Sequence, residues 1–168
     1  MLQRTHGVAG VLAAECVLHY YQIPLLSWDT AGALLLGCFA GPLADIDKPG
    51  SVMAKLFFPL SSLLRILRIH HRTLTHSILF IALMAGAAFP VPELYYMTFL
   101  SAYATHPLID LFNEQGVALL WPIRKKIRLL PKFMAIDTGS RGEAIFCFVL
   151  VCLCFWLPAR DWFSMLLQ

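Results

Sequence analysis

The stretch 143-EAIFCFVLVCLCFWL-157, closed by Pro158, carries fourteen consecutive apolar residues after Glu143. Such a run reads as an apolar helix, and the rest of the chain decides which kind. Of 168 residues, 59% are hydrophobic and 14% charged, with a mean hydropathy of +0.70. Soluble domains carry about 25% charged and roughly 45–50% apolar residues. A core this small does not absorb the excess, so the composition points to a membrane.

Working outward from that run, three more apolar stretches end at proline or glycine, 7–22 before Pro24, 30–43 at Gly41-Pro42 and 76–89 before Pro90 and Pro92, and a fourth, 93–112, follows directly. About fifteen residues rise about 23 Å, short of the roughly 30 Å of hydrocarbon, so some of these helices cross only in part or snorkel at their ends. The segment 51-SVMAKLFFPLSSLLRILRI-69 alternates apolar residues with Lys55, Arg65 and Arg68 at helical spacing, the pattern of a helix lying on the membrane surface. The expected fold is all-α: a multi-pass membrane bundle of about five helices plus one surface amphipathic segment, in a single domain over 1–168.

The first apolar stretch, with Arg4 ahead of it, resembles a signal sequence. Glu15 occupies the small-residue position before Cys16, which argues against cleavage and for a retained first membrane helix. The five cysteines lie in apolar stretches without a CxxC pair and read as small hydrophobes.

Arg4, the 45–75 connection and the 113–142 connection hold twelve of the thirteen basic residues. By the positive-inside rule, the N-terminus and both long connections are cytoplasmic. The run 124-RKKIR-128 then reads anionic lipid headgroups rather than nucleic acid.

That topology collects the rare polar residues. His6 opens the first helix, and Asp45 and Asp47 follow the second. The block 70-HHRTLTHS-77 precedes the third, His106 and Asp110 close the fourth, and Glu143 opens the fifth. All fall at one membrane face. Imidazoles and carboxylates are the ligand types of hydrolytic divalent-metal sites, and the four-residue step from His106 to Asp110 puts both on one helix face. Three of the six histidines lie within seven residues, too dense a group for helix capping alone.

The order His6, Asp45-x-Asp47-x-Pro49-x-Ser51, His71-Arg72-x-x-Thr75-His76-Ser77 and His106-x-x-x-Asp110, with Gly116 downstream, resembles the YdjM-like family of bacterial inner-membrane proteins, described as LexA-regulated (SOS-response), membrane-bound, metal-dependent hydrolases. That family is remotely similar to the zinc-dependent phospholipase C and P1 nuclease group. The resemblance implies His6, Asp45 or Asp47, His71 or His76, His106 and Asp110 as metal ligands, with Glu143 as a late acidic ligand. A second histidine pair expected before Glu143 is absent, so one or two metals fit better than three. Lys48 follows the Asp pair where a histidine is often seen.

The expectation is a bacterial inner-membrane enzyme with a cytoplasm-facing metal site, hydrolysing an ester or phosphoester of a lipid-like substrate. Zinc is the favoured ion and manganese the alternative. Asp45 or Asp47 would orient or deprotonate the attacking water, Arg72 would bind a phosphate oxygen, and Thr75 and Ser77 would hold the imidazoles. The rival is a non-enzymatic protein whose structural metal staples helix ends or recruits partners. A transporter is third, because its ligands would sit near mid-membrane.

Overall fold

The computed structural model describes residues 1–87 and 90–166, with side chains through residue 160. It is all-helical, with seven α-helices among the described residues. These are α1 (Gln3–Tyr20), α2 (Trp28–Ala40), α3 (Val52–Leu56), α4 (Phe58–Ile66), α5 (Ile78–Gly86), α6 (Glu93–Asp110) and α7 (Arg141–Leu166). The five expected apolar helices are α1, α2, α5, α6 and α7, and the amphipathic segment is the bent pair α3–α4. Tight 3-10 turns follow α2 (Gly41–Asp47) and precede α5 (Leu74–His76).

Local chemistry sets the boundaries. Ser27, Ser51 and Ser77 cap α2, α3 and α5, each accepting from the amide three residues on. The expected end of the third helix at 88–89 lies outside the described residues. One expected stop is overturned: α7 continues through Pro158 instead of ending there. Apolar helices at membrane depth tolerate an internal proline because the freed carbonyl finds other partners. α6 likewise carries Pro107.

Among the described residues, two segments are by length and composition apolar enough to cross a membrane, Trp28–Asp47 and Arg141–Arg160, each of 20 residues. At 1.5 Å per residue each spans about 30 Å, the hydrocarbon thickness. α5, with nine residues, reaches only about 14 Å.

α1 is the centre of the assembly, packed on α2, α6 and α7, while α2 also meets α6. Glycine makes the α1–α2 contact. A β-carbon at Gly10 would stand 2.1 Å from the Gly37 carbonyl oxygen, and one at Gly41 would stand 2.2 Å from that of His6. No side chain fits at such distances, so the two backbones touch. Small residues at helix crossings are the usual membrane solution, since lipid supplies no hydrophobic drive between helices. Here the close approach carries His6 of α1 to the turn that holds Asp45.

The interior is inverted relative to a soluble domain. Its largest fully buried side chains include His6, His76, His106, Glu143 and Asn113, set among Ala9, Ala14, Ala33, Ala40, Ala44 and Ala102. Leu26, Trp28, Leu35, Phe58, Ile66, Phe148 and Phe155 face outward. Exposed apolar area on that scale marks contact with lipid rather than water.

Candidate metal centre

The 3-10 turn Gly41–Asp47 sits against α1 and α6 and supplies both aspartates. The His6 and His106 rings stack in parallel, with centroids 3.5 Å apart and planes 4° from parallel. His106 places Nδ1 2.7 Å from the Gly41 carbonyl oxygen. A carbonyl only accepts, so Nδ1 carries the proton and Nε2 presents a lone pair. That Nε2 lies 3.6 Å from Asp45 Oδ1 and has no hydrogen-bond partner. Both ring nitrogens of His6 also lack one.

The second wall comes from the 71–77 block. His71 Nδ1 is 2.7 Å from Asp47 Oδ1, and its Nε2 faces Asp45 Oδ1 at 3.7 Å. The Thr75 hydroxyl donates to Asp47 Oδ2 at 2.6 Å. Having spent its single proton there, it accepts from His76 Nδ1 at 2.9 Å. His76 is thereby fixed with a bare, buried Nε2. Burial, followed by the repulsion of His106 and His71, holds His76 well below the ordinary imidazole range, which keeps it a neutral donor. Tyr103 braces this wall by donating to the Thr75 carbonyl at 2.7 Å.

Asp110 closes the cluster. Its Oδ1 accepts from the Met1 amino group at 2.8 Å and lies 3.5 Å from His6 Nε2. Its Oδ2 lies 3.2 Å from Arg72 Nε.

Three groups offer ligand atoms within 4.8 Å of one another: His6, Asp45 and His106; Asp45, His71 and His76; and His76, His106 and Asp110. Asp45, His76 and His106 each belong to two groups, so the cavity suits one ion or a close pair. The donor set of imidazole nitrogens and carboxylate oxygens suits zinc or manganese. Buried polar atoms without partners are costly, and His6, His76 and His106, which carry such nitrogens, fall in ligand groups with Asp45 and Asp110. A divalent cation would satisfy them together.

The structure distributes the expected ligands unevenly. His6, Asp45, His71, His76, His106 and Asp110 all fall in these groups. Asp47 falls in none; both its oxygens are spent on His71 and Thr75, so it orients ligands rather than serving as one. Glu143 does not join the cluster. It accepts from Thr5 Oγ1 at 2.8 Å, from the Gly139 amide at 2.6 Å and from the Leu2 amide, and so ties the start of α1 to the start of α7. Its early place in the fifth helix is real, but three donors claim it first.

Arg72 also differs from expectation. It is buried with a positive φ of 65°, an uncommon conformation for a residue with a side chain. Its Nη1 donates to Asn113 Oδ1 at 2.7 Å, so the fork braces Asp110 and Asn113 instead of pointing at an open face. Asn113 in turn donates to the Ile136 carbonyl at 2.9 Å and to Thr138 Oγ1 at 3.0 Å. The sequence reading missed Asn113, three residues past Asp110; its signal was a polar residue extending the His106–Asp110 spacing. It also missed the Gly41 carbonyl, which no side-chain pattern announces. Ser77 caps α5 and does not touch an imidazole. His70 is exposed, outside the cluster.

Fold and site together define a helical membrane protein with a buried cluster of histidines and aspartates able to hold divalent metal. Residues 1–163 match the family described as YdjM inner membrane protein, and the chain belongs to that family. It is 30% identical over 138 residues to the inner membrane protein YdjM of Escherichia coli (strain K12), covering 78% of this chain and 67% of that protein. The inner membrane protein YdjM of Shigella flexneri matches to the same extent. The uncharacterized protein YvsG of Bacillus subtilis (strain 168) is 26% identical over 147 residues, 86% of each chain. No solved structure matches.

Proposed function

We propose that this chain is a membrane-bound, metal-dependent hydrolase acting on an ester or phosphoester of a lipid-like substrate. The observation that carries the reading is the gathering of buried imidazoles with unpartnered nitrogens, from His6, His76 and His106, in ligand groups with Asp45 and Asp110. A zinc or manganese ion held there would supply Lewis acidity and would lower the pKa of water toward about 7. His6, Asp45, His71, His76, His106 and Asp110 would hold it. Asp45, shared between two ligand groups, would orient the attacking water or take its proton. Asp47 and Thr75 hold His71 and His76 at fixed tautomers, and Arg72 balances the charge of Asp110 from behind. The favoured topology keeps the N-terminus, the long basic connections and the centre on the cytoplasmic side.

A non-catalytic metal site that staples the helix ends is the second reading. It is favoured by how closed the centre is, since His71, with its side chain 23% exposed, is the one ligand that reaches the surface appreciably. Turnover decides between them. Metal-loaded wild-type protein in detergent is assayed against lipid esters, phospholipids and soluble phosphodiesters, beside Asp45→Asn. Hydrolysis by wild type that falls at least about a hundredfold in the variant supports the enzyme. A fully metallated protein inert across the panel supports the staple.

A further inference from the structure

The segment from Lys48 to His70 leaves the cluster at Asp47 and returns to it at His71. Everything between is the α3–α4 arm, so both ends of the arm are residues of the centre. Its buried face is pinned there as well: Met53 and Leu64 pack on Ile46, the residue between the two aspartates, with Leu43, Phe57 and Ile69 around them. The Ser51 hydroxyl caps α3 and donates to the Asp45 carbonyl at 2.7 Å.

Among the described residues the other face has no partner. Val52, Leu56, Phe58, Leu60, Leu63 and Ile66 are exposed, interleaved with exposed Lys55, Arg65 and Arg68. The arm itself abuts a candidate membrane-crossing segment, because Phe57 at the α3–α4 bend, on its buried side, meets Phe39 of α2 at 6.0 Å between ring centroids. A basic, apolar helix pair abutting such a segment fits one partner chemistry: the surface of an anionic bilayer.

The centre comes nearest the surface beside this arm, at the partly exposed His71. Lys48, with its side chain 38% exposed, stands at the same edge as His71, and its Nζ lies 3.8 Å from Asp45 Oδ2. The other ligands are sealed. We propose that the α3–α4 arm docks on anionic phospholipid, and that Lys48 holds the phosphate of one such lipid at a mouth between itself and His71. The docking stands without hydrolysis; only the view of that lipid as substrate rests on the preceding reading. A lysine suits this place as a point charge on a flexible stem, free to leave Asp45 for a phosphate.

The experiment uses the full chain in nanodiscs of phosphatidylcholine with graded phosphatidylglycerol. Backbone hydrogen exchange across residues 52–67 is expected to slow at least severalfold as phosphatidylglycerol rises, and Arg65→Gln with Arg68→Gln is expected to abolish the slowing. A benzophenone amino acid at position 49, beside the mouth, is expected to capture phosphatidylglycerol at several times its mole fraction, falling to the mole fraction in Lys48→Gln. Exchange indifferent to headgroup charge, or capture that follows bilayer composition in wild type, overturns the proposal. Neither readout uses turnover. A hydrolytically silent protein that still enriches phosphatidylglycerol keeps the docking and removes the enzyme; an active one without enrichment does the reverse.

Discussion

The contact of α1 with α2 and the outer face of α7 are both helical and both apolar in composition, yet they obey opposite rules. At the first, glycines bring backbones within reach, and the buried side chains are small alanines together with Thr5, His6, Leu18 and Thr30. At the second, Ile145, Phe148, Phe155 and Trp156 are exposed, and only 11% of the Arg141–Arg160 span is buried. One surface is specified atom by atom; the other needs only to be greasy. Substitutions should therefore hurt in proportion to how closely a position faces the cluster rather than to how hydrophobic it is.

The largest effect belongs to the glycine contact. Gly10→Val inserts a side chain where a β-carbon already meets Gly37 at 2.1 Å. It should cost more than about 3 kcal/mol and leave little folded protein in a detergent melt. Retention of a wild-type melting temperature would break the comparison.

Next comes the scaffold of the ligands. Asp47→Asn and Thr75→Ala remove the hydrogen bonds that fix His71 and His76, and each should weaken metal affinity about 10–100-fold in a competition titration, with the fold intact. Glu143→Gln sharpens the contrast: it should lose about 1–3 kcal/mol of stability while metal stoichiometry stays unchanged, because Glu143 holds α1 to α7 and touches no ligand. An unchanged melt with lost metal would return Glu143 to the centre.

A pH effect follows from His76. Its folded pKa lies below the ordinary value of 6.5, so the unfolded chain binds the proton first. The metal-free protein should keep this stability above about pH 6.5 and lose it as pH falls further, by up to about 1.4 kcal/mol per unit, as read by chemical denaturation. His76→Gln should reduce that slope. Smallest of all, Phe155→Leu on the outer face of α7 should shift stability by no more than about 0.5 kcal/mol.

Much of this was legible from the residues because polar side chains are scarce in such a chain. His6, Asp45, His71, His76, His106 and Asp110 stand out against apolar surroundings, and helix counting with charge asymmetry was enough to gather them. The roles within the cluster were less legible. Asp45 and Asp47 are indistinguishable as letters; what separates them is that hydrogen bonds with Thr75 and His71 occupy both oxygens of Asp47, while His71 only faces Asp45 from 3.7 Å. Arg72 and Glu143 carry the right charges at the right end of the fold, but side chains and amides from remote segments claim them. Pro158 read as a stop because the helix rule for proline is framed in water, where a freed carbonyl is solvated and the chain is free to turn away.

The most direct test is the metal content of the purified chain. Zinc and manganese measured by mass spectrometry in wild type and in His106→Ala should give one or two ions per chain in the first, with affinity falling by more than about a hundredfold in the second. A folded wild-type protein that binds neither ion when offered both, or an unchanged content in His106→Ala, would contradict a metal centre at this cluster.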